Sequence, residues 1–338
     1  MNSKLAIPAS FKAFVIRDKD RAVSAAFERW SLDQLDAGEV VLRVSHSSVN
    51  YKDALAATGK GRIIRRFPCI GGIDMAGTVV SSADSRFTPG DAVLATSFDI
   101  GVAHHGGYAE YARLPASWVI PLPAGLDAGS AMALGTAGFT AALAITRMEQ
   151  NGLRPGNGPV LVTGATGGVG SLATVMLAQL GYRVTALTGK AAERPYLESL
   201  GASEILLRQE LDLERIKPLD AARWAGAIDN LGGPVLAWAA STMRQAGTIA
   251  SVGLAASHEL HTTVMPFILR GASLLGVDSG YIGEPLRSGL WRRLAGDLKP
   301  RGLASMTRTI GFDSLPAIFG EFIDGQVRGR TVVRIAAD

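Results

Sequence analysis

The sequence predicts an α/β protein in which a doubly wound parallel sheet is joined to a β-rich, barrel-like or sandwich domain. Three observations carry this. The apolar run Val160-Leu161-Val162-Thr163 enters a glycine turn, Gly164 to Gly170, and leaves it as an apolar helix. Strands and helices alternate from Pro159 onward, and the first third of the chain is made of short strands broken by Pro-Gly and Gly-Gly turns.

Residues 13–16 open the β-rich part, residues 39–44 alternate in polarity, and residues 75–80 follow two glycines. Residues 91–95 come after the turn signal Pro89-Gly90, and residues 108–112 after Gly106-Gly107. The pattern changes at the Pro-rich residues 121–125, and the alanine-rich stretch 127–148 reads as a closely packed helical hinge region. Next come a strand at 160–162, a helix at 171–180 stopped by Gly181, and strands at 183–188, 204–207, 226–229, 248–253 and 273–277. Then follow a helix containing Trp291, a segment near Thr309-Ile310, a helix at 315–323 and a last strand at 331–335. That tail has no sheet of its own, so it is expected to return and complete the first domain.

The glycine turn predicts a phosphate cradle. Glycine lets backbone N–H groups approach a pyrophosphate lying on the positive end of the following helix, and side chains would block that approach. Residues 165–170 match G-x-G-x-x-G with alanine in the first slot, a pattern that gains its meaning from the flanking strand and helix. Which dinucleotide binds is read from the end of the second strand. An acidic residue there would bind the ribose 2′-hydroxyl of NAD, but the strand runs into Thr188-Gly189-Lys190 and the nearest carboxylate is Glu193. A hydroxyl, a bare N–H and an ammonium suit a 2′-phosphate, so the expected cofactor is NADPH. Arg208, after the third strand, reads either as a second cation on that edge or as a solvated arginine.

The chain has 338 residues, a net charge of +4 and 47% hydrophobic residues, which suits two globular domains and offers no basic arm for nucleic acid. Cys69 is the only cysteine, which excludes an intrachain disulfide and a multi-cysteine zinc site and points to a reducing compartment. His46, His104 and His105 without thiolates make a poor zinc set, so no metal is expected. Residues 1–8 lack the apolar core of a signal peptide, and the charge-free stretch between Arg154 and Arg183 is interrupted by the glycine turn. A soluble cytoplasmic protein without a membrane partner is expected.

Several local runs then identify a resemblance: Asn50-Tyr51-Lys52-Asp53, residues 72–79, residues 107–111, residues 196–202 and residues 275–279. With these in place, the chain resembles the medium-chain dehydrogenase/reductase superfamily over nearly its full length, in the zinc-independent acryloyl-CoA reductase branch often labelled quinone oxidoreductase-like. The resemblance implies a GroES-like catalytic domain at residues 1–130 and 278–338 and a Rossmann NADPH-binding domain at 131–277. It further implies reduction of a short enoyl-CoA by NADPH, with NADPH-dependent reduction of a quinone or enone as an alternative and a non-catalytic NADPH-binding protein as another. A homodimer formed by sheet extension is also implied.

On that resemblance, Asn50 and Tyr51 are donors to the thioester oxygen, and Tyr51 also supplies a proton and touches the cofactor. Lys52 lowers the phenol pKa or contacts the cofactor, while Asp53 either orients the group or caps a helix beginning near Ala54. Thr166, Gly167, Gly168, Val169 and Gly170 hold the pyrophosphate, and Thr188, Gly189 and Lys190 hold the 2′-phosphate. Asn230, Leu231, Val252, Gly253, Leu254, Val277 and Ser279 flank the nicotinamide and its ribose. Gly329 and Arg330 read as a surface turn or as residues closing the cleft. The run Lys60, Arg62, Arg65 and Arg66 reads as a site for the phosphates of coenzyme A or as a solvated face.

Overall fold

A computed structural model describes residues 7–20 and 22–336. The leader reading of residues 1–8 thus falls mostly outside the described residues. In chain order the strands are β1 (Phe11–Lys19), β2 (Ala22–Trp30), β3 (Val40–Val49), β4 (Cys69–Ile70), β5 (Asp74–Ser82), β6 (Ala92–Thr96), β7 (Tyr111–Leu114) and β8 (Ile120–Pro121). They continue as β9 (Val160–Thr163), β10 (Val184–Thr188), β11 (Glu204–Leu207), β12 (Trp224–Asp229), β13 (Met243–Ser251), β14 (Ser273–Gly276), β15 (Thr307–Gly311) and β16 (Arg330–Arg334). The α-helices are α1 (Tyr51–Thr58), α2 (Ala128–Gln150), α3 (Gly168–Gln179), α4 (Arg194–Ser199), α5 (Gly233–Ser241), α6 (Met265–Arg270), α7 (Leu286–Ala295) and α8 (Leu315–Ile323). The chain divides into two compact units, residues 1–136 with 303–338, and residues 137–302.

The first unit holds a three-stranded sheet, β2-β1-β4, and a larger one ordered β15-β16-β3-β5-β6-β8 with β7 also on β3. Strand β2 is absent from the sequence reading because its faces are mixed; only its last residue, Trp30, is buried. The returning tail does complete this unit. Strand β16 pairs antiparallel with β3, Thr331 opposite Val49 and Arg334 opposite His46, which brings Arg330 to the end of β3 where α1 starts. Aromatic side chains fill the core, with Phe14 against Phe27 and Phe319, and Phe27 edge-on to Phe312. Each fully buried ring of this size contributes about 1.5–3 kcal/mol.

The second unit is a six-stranded parallel sheet ordered β11-β10-β9-β12-β13-β14. All of Val160–Thr163 is buried, as a central parallel strand covered on both faces requires. The order reverses between β9 and β12, the place where open α/β sheets bind ligands at their carboxyl edge.

The unit boundaries differ from the expected ones. Residues 278–302 group with the second unit because Trp291 of α7 is fully buried and stacks on Phe139, while Arg293 bonds Glu149 and Thr146. Residues 131–136 group with the first because α2 is broken at Gly135, whose φ of +51° is outside helical space. Helix α2 is also the one helix among the described residues long and apolar enough to cross a membrane, but 78% of its apolar window is buried, as in a core helix.

Candidate functional site

In the first unit the site grows from the start of α1. Asn50, in extended backbone, is the N-cap, and its N–H donates to Asp53 Oδ2 at 2.8 Å. This is half of a capping box, so the helix starts at Tyr51 and not near Ala54. Asp53 is 3% exposed and its other oxygen accepts the Ile73 N–H at 3.0 Å. Burial, reinforced by the nearby Asp74 charge, pushes the Asp53 carboxyl up to about 7, against the opposing hydrogen bonds from Asn50 and Ile73.

Asp74, fully buried at the start of β5, collects donors from three elements. Its Oδ2 accepts from Ser48 Oγ (2.5 Å), Asn50 Nδ2 (2.8 Å) and the Thr136 N–H (3.0 Å), and its Oδ1 accepts from Thr136 Oγ1 (2.5 Å). Arg330 completes the cluster. Its guanidinium, 2% exposed, donates to Asn50 Oδ1 (3.1 Å), Ser48 Oγ (3.0 Å) and the Ala133 carbonyl (2.8 Å). Burial lowers the Arg330 pKa, with Asp74 and Asp53 opposing that shift. Tyr108, whose hydroxyl donates to the Ser48 carbonyl at 3.0 Å, is held well above the ordinary phenol range by burial first and by the two carboxylates second. A Cβ on Gly135 would stand 2.6 Å from Asp74 Oδ2 and 2.9 Å from Arg330 Nη2, so the break in α2 is where this cluster needs room.

The cluster sorts the predicted residues. Both oxygen and nitrogen of the Asn50 side chain are engaged inside it, and Asp53 is buried behind the helix start. Tyr51, by contrast, is 47% exposed on the first turn, beside exposed Lys52. Arg330 is not in a surface turn: it opens β16 and is buried. Ser48, Asp74, Tyr108 and Thr136 were missed as site residues. Asp74 and Tyr108 lie within the runs that carry the resemblance.

In the second unit, every predicted cofactor residue lies at the carboxyl edge of the sheet. Gly167 caps α3, which begins at Gly168, so the first-turn N–H groups of Gly168, Val169 and Gly170 have no carbonyl four residues back within the helix. A Cβ on Gly170 would approach the Gly164 carbonyl to 2.3 Å, so only glycine lets α3 pack this closely on the turn. Thr166 is buried beside it. At the end of β10, Thr188 is buried and its Oγ1 accepts the Lys190 N–H at 3.0 Å. Lys190 is shifted down by partial burial, which Glu193 opposes. The Arg208 guanidinium lies 3.9 Å from where a Cβ on Gly189 would stand, so the two cations flank one bare glycine.

Thr163 and Asp229, also missed, form a strut across the switch point. Thr163 Oγ1 donates to Asp229 Oδ1 at 2.7 Å and accepts the Asn230 N–H at 2.9 Å, while Asn230 Nδ2 donates to the Thr163 carbonyl at 2.7 Å. Asp229 Oδ2 accepts the Gly232 N–H, and burial raises this carboxyl against those bonds. Thus Asn230 and Leu231 are fixed at the end of β12. Val252 and Gly253 are tied to the Asp229 carbonyl, Leu254 is exposed beyond them, and Val277 donates to the Ser251 carbonyl. Ser279 Oγ accepts from Thr140 Oγ1 at 2.7 Å. An anionic dinucleotide fits this edge: it offers a helix start, a glycine turn and two cations.

Comparison with known proteins places the chain in context. Residues 36–124 match the family Alcohol dehydrogenase GroES-like domain, and residues 168–295 match Zinc-binding dehydrogenase. The acrylyl-CoA reductase AcuI of Ruegeria pomeroyi is 46% identical over 97% of this chain and 100% of its own length. The putative quinone oxidoreductase YhfP of Bacillus subtilis is 44% identical over 96% of this chain and 99% of its own; its structure with NAD bound superposes with a TM-score of 0.94, at 43% identity over 97% of this chain and 100% of that one. The yhdH oxidoreductase of Salmonella enterica, solved in complex with NADP, has a TM-score of 0.93 at 46% identity, covering 96% of this chain and 100% of that one.

The zinc in the second family's description does not fit the donors here. Cys69 is buried and pushed up to about 12 by that burial, the reverse of a thiolate ligand. His104 and His105 turn their rings to Asp36, Trp118 and Trp30, and the Asp74 oxygens already accept from Ser48, Asn50 and Thr136.

Proposed function

Since the chain belongs to the medium-chain dehydrogenase/reductase superfamily, in the branch that holds acrylyl-CoA reductases and quinone oxidoreductases, we propose that it reduces the carbon–carbon double bond of acryloyl-CoA, or a similar short enoyl-CoA, with NADPH. The observation that carries the substrate is the near-full-length identity to the Ruegeria pomeroyi acrylyl-CoA reductase. The cofactor rests on the Thr188-Gly189-Lys190 edge with Arg208 over the glycine, and on the NADP held by the Salmonella enterica relative.

When bound, NADPH supplies a hydride to the β-carbon. As it arrives, negative charge builds on the thioester oxygen, and the Tyr51 hydroxyl, exposed at the positive end of α1, donates to that oxygen. Tyr51 then passes its proton to the α-carbon and regains one from solvent, leaving the saturated thioester. Asn50 and Asp53 act through position: they cap α1, and Asp74 and Arg330 hold Asn50 by its amide nitrogen and oxygen. Lys52 is exposed on the same turn.

The active form is a homodimer built by sheet extension. What supports this is that β14 pairs only with β13 among the described residues, and that exposed apolar side chains, Leu274, Val264, Ile268 and Leu269, crowd that edge and the adjoining α6. The protein works in the cytoplasm, with its lone cysteine reduced and no nucleic-acid or membrane partner.

Reduction of acryloyl-CoA with NADPH deuterated at the transferable C4 position tests the chemistry. Deuterium is expected on the β-carbon of the propanoyl product; unlabelled product, or NADPH binding with no turnover of any unsaturated acceptor, would overturn the reading.

A further inference from the structure

We propose that Lys60 and Arg62 anchor the phosphate groups of the coenzyme A moiety. This rests on the enoyl-thioester reading above and names how the same site recognises its substrate class. The cationic run after α1 is not uniform. Arg65 is ion-paired with Asp99 and Arg66 with Asp36, whereas Lys60 and Arg62 have no ion pair or hydrogen bond among the described residues. Two exposed like charges without a counter-ion, two residues apart, repel each other unless an anion joins them.

Nor is this a loosely solvated face. Gly59 closes α1 with φ of +69°, and a Cβ there would stand 2.8 Å from Val23 Cβ, so the turn is seated on β2. The Gly61 N–H donates to the Leu55 carbonyl, the Ile63 N–H to the Gly61 carbonyl, and the Arg65 N–H to the Val102 carbonyl. Ile63 and Ile64 pack against the apolar core. The backbone that carries exposed Lys60 and Arg62 is therefore held from both sides, which lowers the part of the ordering cost of binding that the backbone would otherwise bear.

Distance favours the assignment as well. Helix α1 has eight residues, so its two ends are separated by about 12 Å. With the thioester carbonyl at Tyr51 on the first turn, a pantetheine arm laid along the helix carries the pyrophosphate and 3′-phosphate toward the loop past its last turn. Arginine binds such phosphates through its planar fork and lysine as a point charge. The NADPH phosphates have their own donors, Lys190 and Arg208 in the second unit, so this pair is assigned to the other phosphorylated reactant.

The test compares acryloyl-CoA, acryloyl-dephospho-CoA and acryloyl-pantetheine as substrates of the full-length enzyme and of the Lys60→Ala/Arg62→Ala double variant. For acryloyl-CoA, KM is expected to rise about tenfold or more with kcat little changed, as for loss of charged hydrogen bonds made equally in ground and transition states. For acryloyl-pantetheine, which lacks the phosphates, and for NADPH, KM is expected to stay at the parent value. The dephospho substrate assigns the 3′-phosphate if the variant no longer matters there, and the pyrophosphate if it still does. An unchanged KM for acryloyl-CoA, or an equal rise for the pantetheine thioester, overturns the anchor. A parent enzyme that reduces none of the three thioesters overturns the enoyl reading and the anchor together, whereas one that reduces them with the variant indistinguishable overturns the anchor alone.

Discussion

Asp53 is the residue on which the first unit's electrostatics turn. Its carboxyl is raised to about 7 by burial and by Asp74, so the folded protein binds a proton there that the unfolded chain releases near its ordinary value of about 4. The sign follows: the contribution to stability is full below about pH 4 and is lost as pH rises through about 7. Asp53→Asn carries no such proton. The stability of the parent relative to this variant should fall by roughly 2–3 kcal/mol between pH 5 and pH 8, measured by urea unfolding; a difference independent of pH would refute the assignment. At this scale the sequence was only partly legible. The resemblance marks Asn50-Tyr51-Lys52-Asp53 as site residues, but nothing local says that Asp74, 24 residues beyond Asn50, and Arg330, 280 residues beyond it, close on its side chain. Those contacts are made by β5 and by the returning β16, so they exist only once the strands pair.

Among the elements, the carboxyl edge of the parallel sheet was the most readable, because strand period, glycine turn and helix stop all repeat locally. Strand β11 and helix α8 fall where the apolar pattern puts them, and β9, β10, β12, β13 and β14 begin or end one to a few residues away. What the pattern could not give was the pairing of β10 with β11 that carries Arg208 over Gly189. Replacing both cations, Lys190→Ala with Arg208→Ala, should remove charge-assisted donors to the 2′-phosphate. The kcat/KM for NADPH is expected to fall about tenfold or more relative to that for NADH, read by initial rates with either cofactor. An unchanged NADPH to NADH ratio would show that this edge does not read the phosphate.

For the whole molecule, the sequence foresaw a chain that leaves its first domain and returns, but it misplaced the boundaries. The resemblance put residues 278–302 with the returning tail; Trp291 and Arg293 instead bind them to the start of the second unit. The open edge of β14 gives the proposed assembly its test. Light scattering should give about twice the 35.4 kDa chain mass, and Val264→Asp with Ile268→Asp should give the single-chain mass with a folded circular dichroism spectrum. A parent protein that is monomeric at micromolar concentration contradicts the dimer.

The measurement that bears most directly on the central claim compares kcat/KM, with NADPH, for acryloyl-CoA and for a simple quinone. Both accept a hydride at a polarised unsaturated carbon, and only the thioester presents phosphates for the enzyme to recognise. Efficiency with acryloyl-CoA is predicted to exceed that with the quinone by about a hundredfold or more, equivalent to two or more charged contacts. Equal or greater efficiency with the quinone would contradict the enoyl-CoA reductase account.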